Sequence, residues 1–431
     1  MNTILGIIKK ILPNKLAEKI RPTYHFVLAF IAALIYRFPS RHITVIAVTG
    51  TKGKTSTTEL ISTIFEAGGH TTALVGTLHF KLGNEYRKNL YKMTMPGRFF
   101  VQRFLREAIN KKCDVAIIEM SSEGARQNRH KFIELDALVF TNIAKEHIES
   151  HGSFNNYVAA KLLLAQALEQ SPKKRKFMIA NADDAQAHRF LSIKNVEKIP
   201  FHLTDAGAFL LHNDGLDIVY EGTPLHSHLQ GTFNIYNILA AIHTAQTFNI
   251  PLSAVKDALE KVSFIRGRME KVRLPVQNPL SDKQDFTVIV DYAHTPDSLE
   301  QAYGVYKNEY KICILGNTGG GRDKWKRKEM GAIADVNCDK IILANEDPYD
   351  EDPMTIINQV AEGITHKEKL HIILDRREAI NTALTMAKSG DVIMITGKGT
   401  DPYIMEAHDK KTPWDDATVV REELEKVLAK K

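Results

Sequence analysis

The chain contains little cysteine, and none of its cysteines are paired in a CxxC motif. The three that occur are Cys113, Cys313 and Cys338, and each lies in or beside an apolar run. Buried thiols of this kind are typical of proteins in the reducing cytosol. We therefore expect all three cysteines to be buried and reduced.

The sequence also lacks a long basic block outside its N-terminus, and its net charge is only +6. Nucleic-acid-binding domains usually concentrate much more positive charge on one surface. We therefore expect no nucleic-acid partner. The hydrophobic fraction of 44% and the charged fraction of 25% indicate an ordinary soluble chain. The length of 431 residues predicts two to three domains.

The N-terminal apolar run is too short to predict a membrane span. Residues 24–36 carry no charge, but a span needs about 20 such residues. Residues 1–20 mix apolar residues with lysines, as a basic amphipathic helix on a membrane surface does. No small-residue cleavage pattern indicates a secretory signal. Residues 1–36 thus predict either a helix packed on the next domain or a peripheral membrane contact, in a protein of the cytoplasm or the membrane surface.

A phosphate-binding loop is the most informative feature that the sequence contains. Residues 43–57 read ITVIAVTGTKGKTST, in which an apolar run ends at Val48 and a helical pattern follows. In a strand, glycine loop and helix of this kind, backbone N–H groups bind phosphate oxygens. Lys54 would reach the β- and γ-phosphates, and the Thr55 hydroxyl would bind Mg²⁺. The loop starts at Gly50 and is shorter than GxxxxGK[ST], so a purely structural turn is the alternative.

Strand-like and helix-like segments alternate over the rest of the chain, which predicts an α/β fold of mostly parallel sheets covered by helices. We expect a helical N-terminal segment over residues 1–40, a central phosphate-loop domain over 41–265 and a Rossmann-like domain over 266–431. Ligands of such sheets bind beyond the carboxyl ends of the strands. The predicted strands are residues 113–120, 136–143, 177–181, 286–292, 311–316, 340–345, 370–375 and 391–396.

Four residues near the ends of predicted elements are candidates for chemistry. Glu119 ends a strand, where a carboxylate can bind Mg²⁺, although a solvated loop acid gives the same pattern. His147 lies between two glutamates and would suit Mn²⁺ better than Mg²⁺, although such a histidine is usually a packing residue. Lys161 lies early in a helical segment, where most lysines are surface charges. Asn237 opens another helix and either reads an adenine edge or caps the helix.

Taken together, these segments make the sequence resemble the Mur ligase family, the ATP-dependent, amide-bond-forming enzymes of peptidoglycan synthesis. Eleven motifs occur in the family's order over residues 43–425. They look most like the branch that adds meso-diaminopimelate or L-lysine to UDP-N-acetylmuramoyl-L-Ala-D-Glu. The motifs are TGTKGKTST, EMSS, TNIAKEHIESHGS, YVAAKLLL, NADD, GTFNIYN, GRMEKV, DYAHTPDSLE, GGGRDKWKR, DRREAI and GKG.

The resemblance implies sites for ATP, for Mg²⁺ or Mn²⁺, and for two further substrates. The implied catalytic residues are Lys54, Glu119, His147 and Lys161. The implied metal ligands are Thr55, Glu119, His147 and a carbamylated Lys161. The implied ATP site comprises Gly50, Thr51, Lys52, Gly53, Lys54, Thr55, Ser56, Asn237, Arg268, Asp291 and His294. The implied sites for the muramoyl peptide and the amino acid comprise Thr94, Ser121, Gln127, Arg129, Arg322, Glu346, Asp347, Gly397 and Asp401.

The reaction that the resemblance implies has two steps. ATP phosphorylates the muramoyl-peptide carboxylate, and the amine of a diamino acid then displaces phosphate from the acyl phosphate. Such a ligase would act as a monomer in cell-wall synthesis, and thereby in cell shape and division. Two alternatives are a ligase of the folylpolyglutamate or cyanophycin type and a non-catalytic nucleotide-binding partner. The segments SSEGARQNR and DYAHTPDSL favour the wall branch, and Lys161 favours catalysis.

The sequence departs from the family's pattern at both substrate sites. The usual N-terminal domain for the UDP moiety is not recognisable in the first 40 residues. We therefore expect either that the nucleotide sugar is bound in a different way or that the acceptor is linked to a lipid. The family's Asp-Asn-Pro-Arg reads Glu346-Asp347-Pro348-Tyr349 here, and tyrosine lacks the bidentate guanidinium. The family's Gly-Lys-Gly-His-Glu reads Gly-Lys-Gly-Thr-Asp over residues 397–401. Diaminopimelate, lysine and another diamine all remain open.

Overall fold

The structure is a computed structural model that describes residues 14 to 430, with side chains described from residue 22 onward. The amphipathic pattern predicted over residues 1–20 lies mostly outside the described residues. Within residues 14–430, no helix has the length and apolarity needed to cross a bilayer.

By the contacts among its residues, the chain divides into two compact units. Unit 1 comprises Met1–Ala144, Asn155–Leu203 and Tyr236–Val255. Unit 2 comprises Lys145–Phe154, Thr204–Ile235 and Lys256–Lys431.

The α-helices of the described residues are, in chain order, α1 (Asn14–Ile35), α2 (Lys54–Ala67), α3 (Arg98–Asn110), α4 (Ser122–Arg126), α5 (Ile148–His151), α6 (Phe154–Glu169), α7 (Ala187–Leu191), α8 (Thr232–Thr247), α9 (Leu252–Lys261), α10 (Pro296–Gly304), α11 (Lys326–Asn337), α12 (Pro353–Ala361), α13 (Arg376–Met386) and α14 (Asp416–Leu428). Short 3₁₀ helices span Pro39–His42, Leu203–Ala206, Ser281–Lys283, Lys367–Lys369 and Ala407–Asp409.

The strands are β1 (Thr44–Thr49), β2 (Thr72–Val75), β3 (His79–Leu82), β4 (Glu85–Lys88), β5 (Val115–Glu119), β6 (Ala137–Phe140), β7 (Phe177–Asn181), β8 (Glu197–Phe201), β9 (Phe209–His212), β10 (Gly215–Tyr220), β11 (Thr223–Ser227), β12 (Glu270–Lys271), β13 (Thr287–Val290), β14 (Lys311–Leu315), β15 (Lys340–Leu343), β16 (Leu370–Ile372), β17 (Val392–Ile395), β18 (Tyr403–Met405) and β19 (Lys411–Pro413).

Unit 1 is built on an eight-stranded sheet with the order β4-β3-β2-β5-β1-β6-β7-β8. The strands from β2 to β8 in this order are parallel, and β3 and β4 add an antiparallel edge. Val45, Ile46 and Ala47 of the central strand β1 are fully buried, as expected of a parallel strand covered on both faces. Because β1 lies between β5 and β6, the loops that follow these three strands meet at one edge of the sheet.

Unit 2 contains a six-stranded sheet with the order β12-β13-β17-β14-β15-β16, in which only β12 is antiparallel. Successive side chains of its strands pack into two hydrophobic clusters, one on each face of the sheet. Val288 and Val290 of β13 pack in one hydrophobic cluster, and Ile289 between them packs in the other. A three-stranded antiparallel sheet of β9, β10 and β11 and the β18–β19 pair complete the strands of this unit. The predicted α/β fold with two mostly parallel sheets is confirmed.

All eight predicted strands are present. Several end earlier than predicted, because the polar residues at their carboxyl ends belong to loops. Strand β6, for example, ends at Phe140, and Thr141 already bonds through its side chain to the phosphate-loop backbone. The strands that the sequence analysis missed are short or exposed, such as β4, which is exposed along its whole length. An apolar pattern cannot reveal a strand of this kind.

The N-terminal helix α1 packs on α3 through a face of small residues. Ala29, Ala32 and Ala33 are at most 1% exposed. The guanidinium of Arg106 in α3 donates twice to the carbonyl of Tyr36, at 3.1 and 3.0 Å, and so caps the end of α1. The interpretation of this segment as a packed helix is confirmed. Its exposed side carries large apolar residues, which are Phe26, Val27, Phe30, Ile31, Leu34 and Ile35.

Cys313 and Cys338 form a disulfide bond, so the prediction that both are reduced is wrong. Cys313 lies in β14, and Cys338 follows α11 and precedes β15. Because β14 and β15 are adjacent parallel strands, the crossover through α11 returns the chain to the same place, and the two Cα atoms are 6.1 Å apart. Cys113 is free and buried, as predicted, and burial raises the pKa of its thiol.

A buried ion pair joins the last two helices of unit 2. Arg376 of α13 donates to both carboxylate oxygens of Asp416 in α14, at 2.8 and 2.7 Å. Both side chains are at most 1% exposed. Burial opposes the charge of Arg376, but attraction to Asp416 outweighs burial and raises the pKa of the guanidinium. Arg376 also donates to the carbonyl of Thr396, so it links both helices to the end of β17.

Replacement of this arginine should destabilise unit 2 strongly. Arg376→Ala should lower the free energy of unfolding by about 3–5 kcal/mol, because the Asp416 carboxylate stays buried without its partner. The matched control is Arg377→Ala, whose pairs with Glu422 and Glu423 are partly exposed and should contribute about 1 kcal/mol or less. Denaturant unfolding followed by circular dichroism measures both losses, and equal losses would contradict this account.

Candidate active site

The phosphate-binding loop has the predicted strand, turn and helix around it. Strand β1 ends at Thr49, and α2 begins at Lys54. Between them, Gly53 has a φ of 80°, a left-handed conformation that favours glycine. A side chain at this position would also collide with Asn237, whose Oδ1 lies 2.3 Å from the place of a Cβ. Asn237 is buried and accepts a hydrogen bond from Thr57 of α2 at 3.3 Å.

Two lysine side chains converge on the loop from different helices. The ammonium of Lys54 donates to the carbonyls of Gly50 and Thr51, at 3.0 and 2.9 Å. The ammonium of Lys161 in α6 donates to the same Gly50 carbonyl at 2.7 Å. Lys161 is only 2% exposed, so it is not the surface charge that its place in a helix made the usual interpretation. The edge of the sheet beyond β1 therefore carries concentrated positive charge, which suits phosphate.

Glu119 joins the loop to the neighbouring strands. Its side chain is fully buried at the end of β5, so it is not a solvated loop acid. The Thr55 hydroxyl donates to its Oε2 at 3.3 Å. Thr77 donates to the same carboxylate from its amide, at 3.0 Å, and from its hydroxyl, at 2.9 Å. A hydroxyl and a carboxylate oxygen side by side are the donors that Mg²⁺ prefers, so these residues fit the implied metal.

The same network reaches the segment implied to hold the acceptor. The Thr77 hydroxyl lies 3.0 Å from the Thr94 hydroxyl. Ser121 caps α4 by accepting a bond from the amide of Gly124. The Gln127 side-chain oxygen accepts bonds from the Nε and Nη2 of Arg129, at 3.2 and 2.7 Å. Unit 1 thus contains Thr94, Ser121, Gln127 and Arg129 together with the phosphate loop.

His147 belongs to unit 2, whereas Glu119 and Lys161 belong to unit 1. The amide of His147 donates to Asp323 at 2.9 Å, at the start of α5, and its imidazole is 54% exposed. Within residues 14–430, no group of three or more histidine, cysteine, aspartate or glutamate side chains is arranged to hold a metal ion. The implied metal set includes a hydroxyl and a carbamate, which are not among those four residue types.

Three more residues of unit 2 belong to the implied ATP site. Asp291 accepts bonds from the amides of Met269 and Ala293, both at 2.7 Å, and so fixes the turn after β13. His294 bonds to the carboxylate of Glu146 through Nε2 at 3.0 Å. Arg268 stacks over the ring of Tyr292 with 4.6 Å between the guanidinium carbon and the ring centre.

The residues implied to hold the amino acid surround a buried lysine in unit 2. Lys398 is fully buried and donates to Asp347 at 2.9 Å and to Asp401 at 3.3 Å. Glu346 accepts a bond from the hydroxyl of Thr318 at 2.7 Å, and its Oε2 has no hydrogen-bond partner among the described residues. Burial, and secondly the charge of Asp347, raises the pKa of Glu346.

Gly397 and Arg322 complete this group. Gly397 has a φ of 103°, and a Cβ there would lie 2.3 Å from Oε2 of Glu346, so only glycine leaves room for that carboxylate. Arg322 is exposed, and its guanidinium lies 3.3 Å from the hydroxyl of Tyr349 and over the ring. Tyr349, which the sequence resemblance pairs with an arginine of the family's motif, thus contacts Arg322.

Several contributing residues were missed by the sequence analysis. Thr77 connects Glu119 to Thr94, and it carried no motif. The Tyr157 hydroxyl bonds to that of Thr51 at 2.9 Å. Glu59 lies one turn after Thr55 on α2, and burial, with the nearby charge of Glu119, raises its pKa to about 8. Of these residues, Glu59 could have been suspected from the sequence, because it lies four residues after Thr55 on the same predicted helix.

A phosphate-binding loop on a parallel sheet, with two lysines, of which Lys161 is buried, and a buried carboxylate beside it, defines a nucleotide-binding α/β protein. Residues 48–245 match the Mur ligase middle domain, and residues 267–399 match the Mur ligase glutamate ligase domain. The UDP-N-acetylmuramoyl-L-alanyl-D-glutamate–2,6-diaminopimelate ligase of Syntrophomonas wolfei is 36% identical over 415 residues, which are 93% of this chain and 82% of that protein. The chain therefore belongs to the Mur ligase family.

Solved structures show the same relationship. A UDP-N-acetylmuramoyl-L-alanyl-D-glutamate–2,6-diaminopimelate ligase matches with a TM-score of 0.60 and 26% identity, over 94% of this chain and 83% of that one. The folylpolyglutamate synthase of Mycobacterium tuberculosis matches with a TM-score of 0.70 and 16% identity, over 86% of this chain and 92% of that one. The second likeness concerns the fold alone.

The contact between Gly53 and Asn237 predicts the effect of one added methyl group. Gly53→Ala should weaken ATP binding at least tenfold, because the methyl group cannot fit unless the buried Asn237 side chain or the loop moves. The matched control is Gly69→Ala at the end of α2, where φ is 88° but no atom lies within 4 Å. This control carries the same backbone strain and should bind ATP normally. Calorimetric titration measures both affinities, and equal effects would show that strain, not contact, matters at Gly53.

Proposed function

We propose that this chain is an ATP-dependent ligase that joins the carboxylate of a muramoyl peptide to the amine of a diamino acid in peptidoglycan synthesis. The observation that carries the proposal is the convergence of Lys54, Lys161, Thr55 and Glu119 on one loop of unit 1. The relative in Syntrophomonas wolfei, by its name, joins the same classes of substrate. The acceptor is UDP-N-acetylmuramoyl-L-Ala-D-Glu or a lipid-linked equivalent.

ATP binds on the loop from Gly50 to Ser56. Thr55, Glu119, His147 and carbamylated Lys161 would hold Mg²⁺, or Mn²⁺ in its place, which would supply positive charge beside the transferred phosphoryl group. The remaining ATP contacts are Asn237, Arg268, Asp291 and His294. The muramoyl peptide contacts Thr94, Ser121, Gln127 and Arg129, and the amino acid contacts Arg322, Glu346, Asp347, Gly397 and Asp401.

Lys161 acts as a carbamate. Its neutral amine attacks carbon dioxide, the new N–C bond forms, and one proton leaves to solvent. The product is an anion, which can bind a metal ion that an ammonium would repel. The position of Lys161 supports this chemistry, because its side chain is buried and its Nζ lies 2.7 Å from the Gly50 carbonyl of the phosphate loop. The close approach of the Lys54 and Lys161 ammonium groups to the same carbonyl adds a repulsion that carbamylation would remove.

The chain then supplies position and charge for two displacements. A carboxylate oxygen of the acceptor attacks the γ-phosphorus of ATP, the bond to the bridging oxygen breaks, and ADP leaves. Lys54 offsets the charge that develops on the transferred group. The incoming amine attacks the acyl carbon, loses a proton, and displaces inorganic phosphate. Holding the reactants in line supplies much of the rate enhancement.

The amino acid that this pocket suits has a cation at its far end. Among residues 22–430, Oε2 of Glu346 has no hydrogen-bond partner, and Asp347 and Asp401 share Lys398. Tyr349 removes the guanidinium that would pair with a distal carboxylate. L-Lysine or a similar diamine is therefore the proposed substrate, in preference to diaminopimelate.

Residues 1–36 form a peripheral membrane contact of an otherwise cytoplasmic monomer. The exposed apolar face of α1 and the lysines of the first 20 residues support this proposal, because anionic lipid attracts basic helices with an apolar face. We further propose domain boundaries near residues 40 and 265, which give segments 1–40, 41–265 and 266–431.

Turnover with a panel of substrates tests the proposed function. The protein with ATP, Mg²⁺ and UDP-N-acetylmuramoyl-L-Ala-D-Glu, or its lipid-linked equivalent, should release ADP only when an amino acid is added, with L-lysine favoured over diaminopimelate.

Lys161→Ala should lower turnover at least 100-fold, and bicarbonate should stimulate only the unchanged protein. The control Lys256→Ala alters an exposed lysine and should have no effect. ADP release is followed by a coupled assay and the product by mass. Nucleotide binding without amine-dependent ADP release would favour the non-catalytic alternative.

Sedimentation with vesicles tests the membrane contact. The full chain should co-sediment with phosphatidylglycerol vesicles and less with neutral ones. Substitution of Phe30 and Leu34 by glutamate should lower the bound fraction several-fold, because both side chains lie on the exposed face of α1. The control Leu210→Glu changes an equally exposed residue in β9 and should bind normally. Unchanged binding of the α1 variant would remove this helix from the contact.

A further inference from the structure

Two arginine side chains of unit 1 converge on one residue. Arg98, the first residue of α3, donates from Nη2 to the main-chain carbonyl of Gln127 at 2.8 Å. Arg129 donates to the side-chain oxygen of the same Gln127 at 2.7 Å. Arg129 also bonds to the carbonyl of Met95. Both guanidinium groups are thus held beside the loop that follows Thr94, and both are half-buried.

These two charges are not neutralised by a direct partner. Among residues 22–430, no carboxylate lies within 4 Å of either guanidinium, and the Nε of Arg98 is buried without a hydrogen-bond partner. Burial, and secondly repulsion by Arg129, lowers the pKa of Arg98. Burial also lowers the pKa of Arg129, and the more distant charge of Glu123 opposes that shift. Two like charges kept together and partly removed from water cost free energy unless an anion offsets them.

The helix α1 fixes the direction of Arg98. The Nη2 of Arg98 lies 2.9 Å from Nδ1 of His25. Because a guanidinium only donates, Nδ1 of His25 must accept, and the ring proton is on Nε2. His25 is followed directly by Phe26 and Val27, which begin the exposed apolar face of α1. Arg98 therefore contacts α1 at the residue that precedes that face in the chain.

The position of the two arginines indicates that the anion they bind belongs to the acceptor substrate. Gln127 and Arg129 are residues that the proposed function gives to the muramoyl peptide, and Thr94 begins the loop that Arg129 holds. Arginine pairs suit phosphate, because their planar N–H groups match its oxygens. A phosphate at Arg98 also gains from the amino end of α3, whose N-cap Gly97 supplies no capping side chain.

We propose that Arg98 and Arg129 bind a phosphate of the diphosphate that links the muramoyl peptide to its carrier, with His25 as the positioning residue. The inference rests on the proposed function for the identity of the acceptor. The shared chemistry is a sugar diphosphate, and its carrier is either a nucleoside or a polyprenyl chain. The apolar face beside His25 favours the polyprenyl chain.

Equilibrium binding without ATP or amino acid tests this site. Three probes are titrated into the full chain: UDP-N-acetylmuramoyl-L-Ala-D-Glu, the farnesyl-diphosphate-linked muramoyl dipeptide in detergent micelles, and muramoyl-L-Ala-D-Glu without phosphate. At least one diphosphate-bearing probe should bind at least tenfold more tightly than the phosphate-free probe. Comparison of the two diphosphate probes identifies the carrier.

The Arg98→Gln variant should lose this advantage, so that it binds the diphosphate-bearing probes no more tightly than the phosphate-free probe. The matched control Arg103→Gln alters an exposed arginine one turn further along α3 and should keep the advantage. Calorimetric titration with ATP verifies that both variants remain folded. A diphosphate advantage that survives Arg98→Gln, or equal binding of all three probes to the unchanged chain, would overturn the inference.

The binding test and the turnover test fail independently. A chain that binds the diphosphate through Arg98 but releases no ADP would contradict the proposed function and leave the site intact. A chain that turns over while Arg98→Gln binds all probes normally would contradict only the site. The pH, salt and detergent are kept constant across the series, since contacts to phosphate weaken as salt rises.

Discussion

The central physical constraint in this structure is the removal of ionised groups from water at the carboxyl edge of a parallel sheet. Glu119 ends β5 fully buried, and its carboxylate depends on Thr55 and Thr77 for hydrogen bonds. Lys54 and Lys161 bring two ammonium groups to one backbone carbonyl. Glu119 and Lys161 are buried, whereas Lys54 is partly exposed. Ionised groups that are removed from water cost free energy, and a bound phosphate and a metal ion would offset their charges. The order of the strands makes the cluster possible, because β1 lies between β5 and β6 and their following loops must meet.

Much of this arrangement could be predicted from residues close together in the sequence. The apolar run of β1, the glycines after it and Lys54 lie within a dozen residues, and eight strands followed from their apolar patterns. Contacts between distant residues could not be predicted in the same way. The Cys313–Cys338 bond depends on a crossover that returns the chain to its starting strand. Thr77 contacts Glu119 across 42 residues, and His25 contacts Arg98 across 73. No local spacing encodes such pairs, and a threonine or a histidine in a loop or helix has many commoner roles.

The two substrate sites differ in how far the chain keeps the family's chemistry. Around the phosphate loop, the residue types needed for nucleotide and metal are all present. At the proposed amino-acid site, Tyr349 stands where the family resemblance implies an arginine, and it contacts Arg322. Oε2 of Glu346 has no hydrogen-bond partner in the described part of the chain. At the acceptor site, Arg98 is oriented by a residue of the N-terminal helix. The chain therefore keeps the residue types that would activate a carboxylate. It departs from the family's pattern at the proposed sites for the amino acid and the acceptor.

Activation of the acceptor carboxylate by phosphoryl transfer is the central claim, and isotope transfer tests it most directly. The acceptor is prepared with ¹⁸O in the reacting carboxylate and incubated with ATP, Mg²⁺ and the amino acid that supports turnover. The phosphate that is released is then analysed by mass spectrometry. The account predicts one ¹⁸O atom in each phosphate formed with the amide product, because an acyl phosphate passes a carboxylate oxygen to phosphorus. Amide product accompanied by phosphate without ¹⁸O would contradict the account.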